Sequence, residues 1–211
     1  MDKTMFYLAI AVMTVFFTAC RNDRTGDGDS YIQIIENQTS DNPFIVKAIN
    51  VENGNENIAC AKVISVCQSS DGEWYYLEFS AEYKNGGFEL NFPATVPDEC
   101  LQPVADRTVF EDVPLSDTRA KIMPFTVSAY DGAGSNIGGF DFRSNDWGIE
   151  FKYADRDFTE KGISKYNVEF DCSYKKGWNV VYQYVNGREK HTTQKPLNKH
   201  FKCSFLCYVY L

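Results

Sequence analysis

The stretch Tyr75-Tyr-Leu-Glu-Phe-Ser-Ala-Glu-Tyr83 decides the fold class, because its side chains alternate between two faces. One row is aromatic or apolar and the other is mostly polar and charged. The apolar row consists of Tyr75, Leu77, Phe79, Ala81 and Tyr83. A period of two residues is typical of a β-strand that buries one face and exposes the other. We therefore predict a half-buried strand with its apolar row toward a core.

A turn signal follows this strand directly. Asn85-Gly86-Gly87 contains the Asn-Gly pair that favours a tight turn between antiparallel strands. Beyond the turn, Phe88, Leu90 and Phe92 alternate with two polar residues. We predict a second strand here, paired with the first as a hairpin.

Similar segments separated by turn residues run through the rest of the chain. They comprise residues 44–50, 58–67, 122–130, 149–153, 168–174, 178–185 and 201–209. The high aromatic content, with 13 Tyr and 16 Phe, also favours strands. Roughly ten strands of this kind predict an all-β fold, an antiparallel β-sandwich over residues 43–211.

A proline-rich connection divides these strands into two groups. Four prolines fall between Pro93 and Asp117, and proline removes a donor from a strand ladder. The sequence therefore places a candidate boundary at 97–118, which leaves open one sandwich or two β lobes. Within the connection, Pro97-Asp-Glu-Cys-Leu101 is predicted to form a helical turn.

The N-terminal residues have the composition of an export signal. Lys3 precedes the apolar run Met5–Phe17, and the small residues Thr18-Ala19 precede Cys20. The run is shorter than the roughly 20 residues that a membrane-spanning helix needs. We predict a signal peptide over residues 1–19 and a flexible tether over 20–42, within which residues 31–35 are part of the tether or a first short strand.

Thr18-Ala19-Cys20 resembles the lipobox of bacterial lipoproteins, although Phe17 stands where that pattern usually has leucine. The resemblance implies that Cys20 carries a diacylglycerol and an acylated N-terminus, which together would anchor the protein stably. An ordinary secretory signal that contains a cysteine is the alternative. Arg21 does not resemble an inner-membrane retention signal. The implied location is therefore the outer membrane of a Gram-negative cell, at the cell surface.

Three internal segments extend the resemblance: 86–97, 152–162 and 175–182. Together with the lipobox they resemble the small surface lipoproteins of gut Gram-negative anaerobes. Residues 87–93 are also similar to the closing strands of transthyretin-like and carboxypeptidase-regulatory-like β-sandwiches. Neither resemblance implies a catalytic residue.

The net charge of −8 argues against nucleic acid as a partner, because proteins that bind it carry a basic surface. Locally, residues 161–202 contain nine Lys or Arg against three acidic residues. This excess indicates either solvated loops or a patch for an acidic glycan or lipid headgroups.

Six cysteines remain besides Cys20: Cys60, Cys67, Cys100, Cys172, Cys203 and Cys207. Disulfides persist in exported proteins, but the sequence does not choose among fifteen pairings. Cys203 and Cys207 would lie about 13 Å apart in one strand, which is too far to bridge. Buried thiols are the alternative to one or two disulfides.

The sequence predicts no catalytic site, metal site or cofactor. The two histidines, His191 and His200, lie in a lysine-rich stretch, and no close cysteine pair suits zinc. Calcium is the best metal candidate, with oxygens offered by Asp27 and Asp29 and by Asp155 and Asp157, but the spacing of a calcium-binding loop is absent.

Three tryptophans are the candidate ligand-binding residues, because each lies beside a turn: Trp74, Trp147 and Trp178. Capping of the sandwich core is the alternative role. We predict a lipid-anchored envelope lipoprotein that acts as a non-catalytic extracellular binding module for glycan or protein. A structural or adhesive subunit that associates with other envelope proteins is the alternative, and a hydrolase is the least supported.

Overall fold

The structure is a computed structural model that describes residues 29–36, 44–68, 72–106 and 112–207. These residues form fifteen strands and no α-helix, so the all-β prediction is confirmed. The strands are β1 Tyr31–Ile35, β2 Phe44–Ile49, β3 Cys60–Gln68, β4 Trp74–Glu82, β5 Phe88–Phe92, β6 Gln102–Pro103, β7 Lys121–Phe125, β8 Ser128–Tyr130, β9 Asn136–Ser144, β10 Trp147–Ala154, β11 Phe158–Ile163, β12 Glu169–Tyr174, β13 Gly177–Tyr184, β14 Lys190–Thr192 and β15 Lys202–Cys207.

Two short 3-10 turns interrupt the strands, at Asp98–Cys100 and Val104–Asp106. The first of them is the helical turn expected within 97–101. None of the described segments is a helix able to cross a membrane. The predicted signal peptide and Cys20 lie outside the described residues.

The strands form two sheets. The smaller sheet has the order β1-β2-β5, and the larger follows β11-β12-β14-β13-β10-β9-β8-β3-β4. The larger sheet also carries β15 on β9, β7 on β10 and β6 on β7. Among the described strand pairs, β12–β14 alone is parallel. Residues 31–35, for which the sequence allows either tether or a first short strand, form β1. This strand pairs with β2.

The predicted hairpin of β4 and β5 is wrong. β4 pairs along its whole length with β3, whereas β5 pairs with β2 in the other sheet. Asn85 and Gly86 both have positive φ, as a tight hairpin-type turn requires. The turn closes through a 2.8 Å hydrogen bond from the Lys84 amide to the Gly87 carbonyl. The turn therefore carries the chain from the larger sheet to the smaller one. It does not connect two strands that pair with each other.

The buried rows predicted from alternation are confirmed, and those of β4, β5 and β15 pack between the two sheets, whereas that of β12 is buried elsewhere. In β5 the three apolar side chains are buried and the two polar ones exposed. Aromatic rings dominate this core, with ring centroids 4.7 Å apart for Phe92 and Trp178 and 5.3 Å for Phe142 and Phe151. Cys100 and Leu101, inside the candidate boundary, are buried in the same core.

A second, smaller core covers the outer face of the larger sheet. Ala154, Phe158, Cys172, Tyr174 and Val181 are buried there with residues from the 104–122 segment. The polar residues of β10, Glu150 and Lys152, are therefore not both exposed to solvent. Lys152 is only 6% exposed and pairs with Glu150 at 2.8 Å.

Candidate functional site

A cavity of about 330 Å³ opens between β1 and the loop that joins β14 to β15. Its volume falls at the lower end of the range of about 300–1,000 Å³ for small-molecule sites. β10 and β13 supply its floor. The lining residues are Tyr31, Ile32, Ile34, Glu36, Ile149, Tyr182, Lys195, Lys199, His200 and Phe201. We refer to it as the β1 pocket.

Backbone hydrogen bonds hold β1 beside the end of the loop. The amide of Ile32 donates to the carbonyl of Phe201 at 3.1 Å. Two positions along each segment, the side-chain hydroxyl of Ser30 donates to the carbonyl of Cys203, also at 3.1 Å. These contacts place the residues of β1 opposite Lys195, Lys199 and His200.

The floor of the β1 pocket is apolar and aromatic. Tyr182 is 4% exposed, and its ring lies 5.4 Å from that of Phe201. Ile149 of β10 is the cross-strand partner of Tyr182. The next pair on the same face is Trp147 with Tyr184, whose rings are 5.2 Å apart. The half-buried Trp147 therefore continues the aromatic surface away from the pocket.

The rim carries more positive than negative charge. Lys195 and Lys199 oppose one carboxylate, Glu36, in a protein that is acidic overall. Burial raises the pKa of Glu36, while the charge of Lys195 works in the opposite direction. Burial, reinforced by the charge of Glu36, raises the pKa of Tyr182 to about 12. Tyr182 therefore remains a neutral phenol that can donate or accept a hydrogen bond.

The three candidate tryptophans have different environments. Trp178 is 8% exposed and packs among the rings of Phe92, Phe125 and Tyr153. It is therefore a core residue, and its ring has no face open to a ligand. Trp74, at the start of β4, is 58% exposed and is not among the residues that line the pocket. Trp147 alone of the three adjoins the β1 pocket.

Most of the pocket is not predictable from the sequence. Residues 31–35 match a tether or a short strand, and the loop lysines stand out only as part of a basic excess. The pocket residues share no motif, because β1 and the loop come from opposite ends of the domain. The basic excess in 161–202 was the one available signal.

A second groove of about 240 Å³ contains two carboxylates, Asp141 and Glu150. Each pairs with a cation on its own strand, Arg143 and Lys152 respectively. Burial opposes ionisation of Glu150, but the charge of Lys152 and its hydrogen bond outweigh that effect, so the pKa of Glu150 is lowered. A general acid for glycoside hydrolysis needs the opposite shift.

Of the calcium candidates, Asp27 lies outside the described residues, and Asp155 and Asp157 are engaged with cations and backbone amides. Asp155 accepts from the Lys121 amide at 2.8 Å and pairs with Arg156 at 2.7 Å. Asp157 accepts from the Lys176 amide at 2.8 Å and from the Lys175 side chain at 2.9 Å. Across the described ranges, no group of three or more His, Cys, Asp or Glu side chains is arranged to hold a metal ion.

Comparison of the chain with models of protein families, with curated proteins and with solved structures finds no significant match. The resemblance to small surface lipoproteins therefore stays a prediction. Functional inference rests on the geometry of the chain itself.

Proposed function

We propose that this protein is a lipid-anchored lipoprotein of the cell envelope that binds an acidic glycan in the β1 pocket without transforming it. The observation that carries this proposal is the pocket itself. It combines an apolar, aromatic floor with two lysines and one carboxylate at its rim.

The floor suits a sugar ring. Ligand sites are mostly apolar, with a few polar groups that fix orientation. Tyr31, 47% exposed at the mouth, offers ring surface, while the buried rings of Tyr182 and Phe201 make the floor beneath it apolar. The phenol of Tyr182 and the carboxylate of Glu36 are suitable partners for sugar hydroxyls.

The rim favours an acidic sugar over a neutral one. An anionic group on the ligand would meet Lys195 and Lys199, and hydrogen bonds between ions are stronger than neutral ones. Glu36 lies on the same rim and would disfavour a ligand with several negative charges. A uronic acid or another singly charged sugar therefore fits best.

The carboxylates of the β1 pocket and of the second groove support the proposal of binding without catalysis. Glycoside hydrolysis requires a pair of carboxyl groups at the scissile bond. Glu36 is the sole carboxylate among the residues that line the β1 pocket. In the second groove, Lys152 and Arg143 hold the carboxylates in ion pairs.

The proposed anchor is compatible with this site. Asp29, where the described chain begins, lies nine residues after Cys20. Such a tether reaches at most about 30 Å when extended. Ser30 is fixed to Cys203 beside the pocket, so the tether would leave the domain on the pocket side. A bound glycan would then lie close to the membrane.

The test is binding of the purified lipidated protein, in detergent micelles, to an array of acidic and matched neutral glycans. We expect selective binding to singly charged acidic glycans, lost in Lys195→Ala/Lys199→Ala. The control is Lys47→Ala/Lys161→Ala, which removes two lysines that pair with Glu89 and Asp171 outside the pocket. Equal binding by both double variants would overturn the assignment to this pocket.

A second candidate function, association with another envelope protein, is favoured by a different surface. Ile64, Val66, Trp74 and Tyr76 are 43–71% exposed on the outer face of β3 and β4. Large apolar side chains grouped on a surface are typical of protein contacts. Crosslinking in intact cells would test it: a single stoichiometric partner should be captured, and Trp74→Ala should reduce the capture while the pocket variant does not.

A further inference from the structure

Two cysteines lie together at the edge of the main core. Cys67 is near the end of β3, on its inner face, and is half-buried. Cys100 ends the 3-10 turn Asp98–Cys100 and is 2% exposed. The turn packs against β3, and both cysteines border the same core. Burial raises the pKa of Cys100, and the two thiols are close enough for Cys67 to raise that pKa further.

Regular backbone structure fixes both positions. Cys67 pairs with Tyr75 in the β3–β4 ladder. The amide of Cys100 donates to the carbonyl of Pro97 at 3.0 Å, which holds the turn closed. The Ser65 hydroxyl lies 3.6 Å from the Cys67 sulfur and 3.8 Å from the Met123 sulfur, so the Cys67 side chain points inward. The proximity of the thiols is therefore a property of two ordered elements.

We propose that Cys67 and Cys100 form a disulfide when the chain is exported, a step that rests on the export inferred under the proposed function. Exported proteins reach compartments where disulfides form and persist. The bond would link the end of β3 to the connection after β5. The two sulfurs are not joined in the structure.

The reaction requires a protein disulfide donor, such as a thiol oxidoreductase of the envelope. Cys67 is the more exposed of the two, so its thiolate attacks the donor disulfide and forms a mixed disulfide. Cys100 then attacks the Cys67 sulfur and displaces the donor. The donor leaves as a dithiol, having accepted two electrons and the two thiol protons. Burial raises the pKa of Cys100, which disfavours its thiolate and slows the second step.

Peptide mapping of the full chain tests the pairing. The exported protein is alkylated in denaturant without reduction and then cleaved after lysine and arginine. Cys67 falls in the peptide 63–84 and Cys100 in the adjoining peptide 85–107, each with a single cysteine. We expect these two peptides to appear linked, two hydrogens lighter than their sum, and to separate on reduction.

Metabolic labelling with a fatty acid shows whether the same molecules are lipidated. Alkylated peptides 63–84 and 85–107 in acyl-labelled protein, or a link from either cysteine to another partner, would overturn the pairing. If the chain is neither labelled nor exported, the export proposal fails instead. The purified full chain is then treated with oxidised glutathione: formation of the 63–84/85–107 link supports the pairing, and its absence overturns it.

Discussion

The indole nitrogen of Trp178 donates a 2.7 Å hydrogen bond to the carbonyl oxygen of Pro93, a residue 85 positions earlier in the chain. Pro93 directly follows β5 in the smaller sheet, and Trp178 lies on β13 in the larger one. The contact therefore joins the two layers of the sandwich. It explains why a tryptophan beside a glycine turn serves the core here and does not face a ligand.

Replacement of Trp178 should destabilise the fold. Trp178→Ala would remove a buried ring and leave the Pro93 carbonyl without this donor, so we expect a loss of about 3–5 kcal/mol in the free energy of unfolding. Urea unfolding followed by circular dichroism measures it. Trp74→Ala, at a 58% exposed position, is the matched control and should change stability by about 0.5 kcal/mol or less. Similar losses in both variants would contradict the core assignment.

The turn Asn85-Gly86-Gly87, which connects the two sheets, should not accommodate a side chain at Gly87. A Cβ there would lie 2.3 Å from the Ala48 carbonyl oxygen of β2. Gly87→Ala should therefore cost about 1–3 kcal/mol, since the backbone must move apart. Gly132→Ala is the control, because a Cβ there meets no atom within 4 Å. Thermal unfolding of the two variants compares them, and equal stability would show that β5 does not approach β2 in this way.

Binding in the β1 pocket should depend on charge. If Lys195 and Lys199 contact the acidic group of a sugar, Lys195→Ala alone should weaken binding about tenfold or more, as for a lost hydrogen bond to an ion. Raising the salt concentration should weaken the wild type more than the variant. Titration calorimetry at two ionic strengths measures both effects. An unchanged salt dependence in the variant would place the charged contact elsewhere.

Ring contact at the mouth of the β1 pocket provides a separate test. Tyr31→Ala should weaken binding of acidic and neutral sugars alike, because it removes stacking surface without changing charge. Tyr31→Phe should retain most of the affinity. The same calorimetry distinguishes these outcomes. A loss in Tyr31→Phe as large as in Tyr31→Ala would assign the contact to the hydroxyl group.

The proposed Cys67–Cys100 bond should stabilise the exported protein. It closes a loop of about 34 residues, for which chain entropy predicts about 3–4 kcal/mol. Reduction should therefore lower the midpoint of thermal unfolding by roughly 10 °C. Cys67→Ser should lower it similarly and then be insensitive to reductant. A wild-type midpoint that does not respond to complete reduction would contradict the stabilising role.

His191 should make stability depend on pH. It is 5% exposed, stacks on Phe170 at 4.9 Å and has Glu189 at 2.7 Å from its Nε2 atom. Burial, aided by the charge of Lys152, lowers its pKa and outweighs the opposite effects of Glu189 and Glu150. The unfolded chain therefore binds a proton at higher pH than the folded chain does. Stability present above about pH 6.5 should decline as the pH falls toward the folded-state pKa.

The measurement for His191 is the free energy of unfolding in urea at pH 7.5 and pH 5.5. His191→Gln should be less stable than the wild type at pH 7.5, but should lose less on acidification. His200→Gln, at the exposed rim of the pocket, is the control for changing the other histidine. Equal losses in the wild type and His191→Gln would contradict a titration of this residue.

Much of the local structure could be predicted from the sequence. The apolar rows of β4, β5, β12 and β15 were identified correctly, because the side-chain period of a strand is a local property. Asn85-Gly86 was identified as a turn, because only a few residue types favour positive φ. The partner of each strand was not predictable in this way. An apolar row shows which face is buried, but not which strand lies beside it.

The candidate site shows the same division. Trp74 and Trp178 both lie beside turns, yet one is exposed and the other buried, and only their distant neighbours distinguish them. Glu36 and Lys195 line the same pocket because β1 lies against the loop before β15, an arrangement that no local pattern records. The sequence by itself determined the strand content, the buried faces and the polar turns. The tertiary structure alone decided the strand order, the β1 pocket and the meeting of Cys67 with Cys100, because each depends on contacts between residues far apart in the chain.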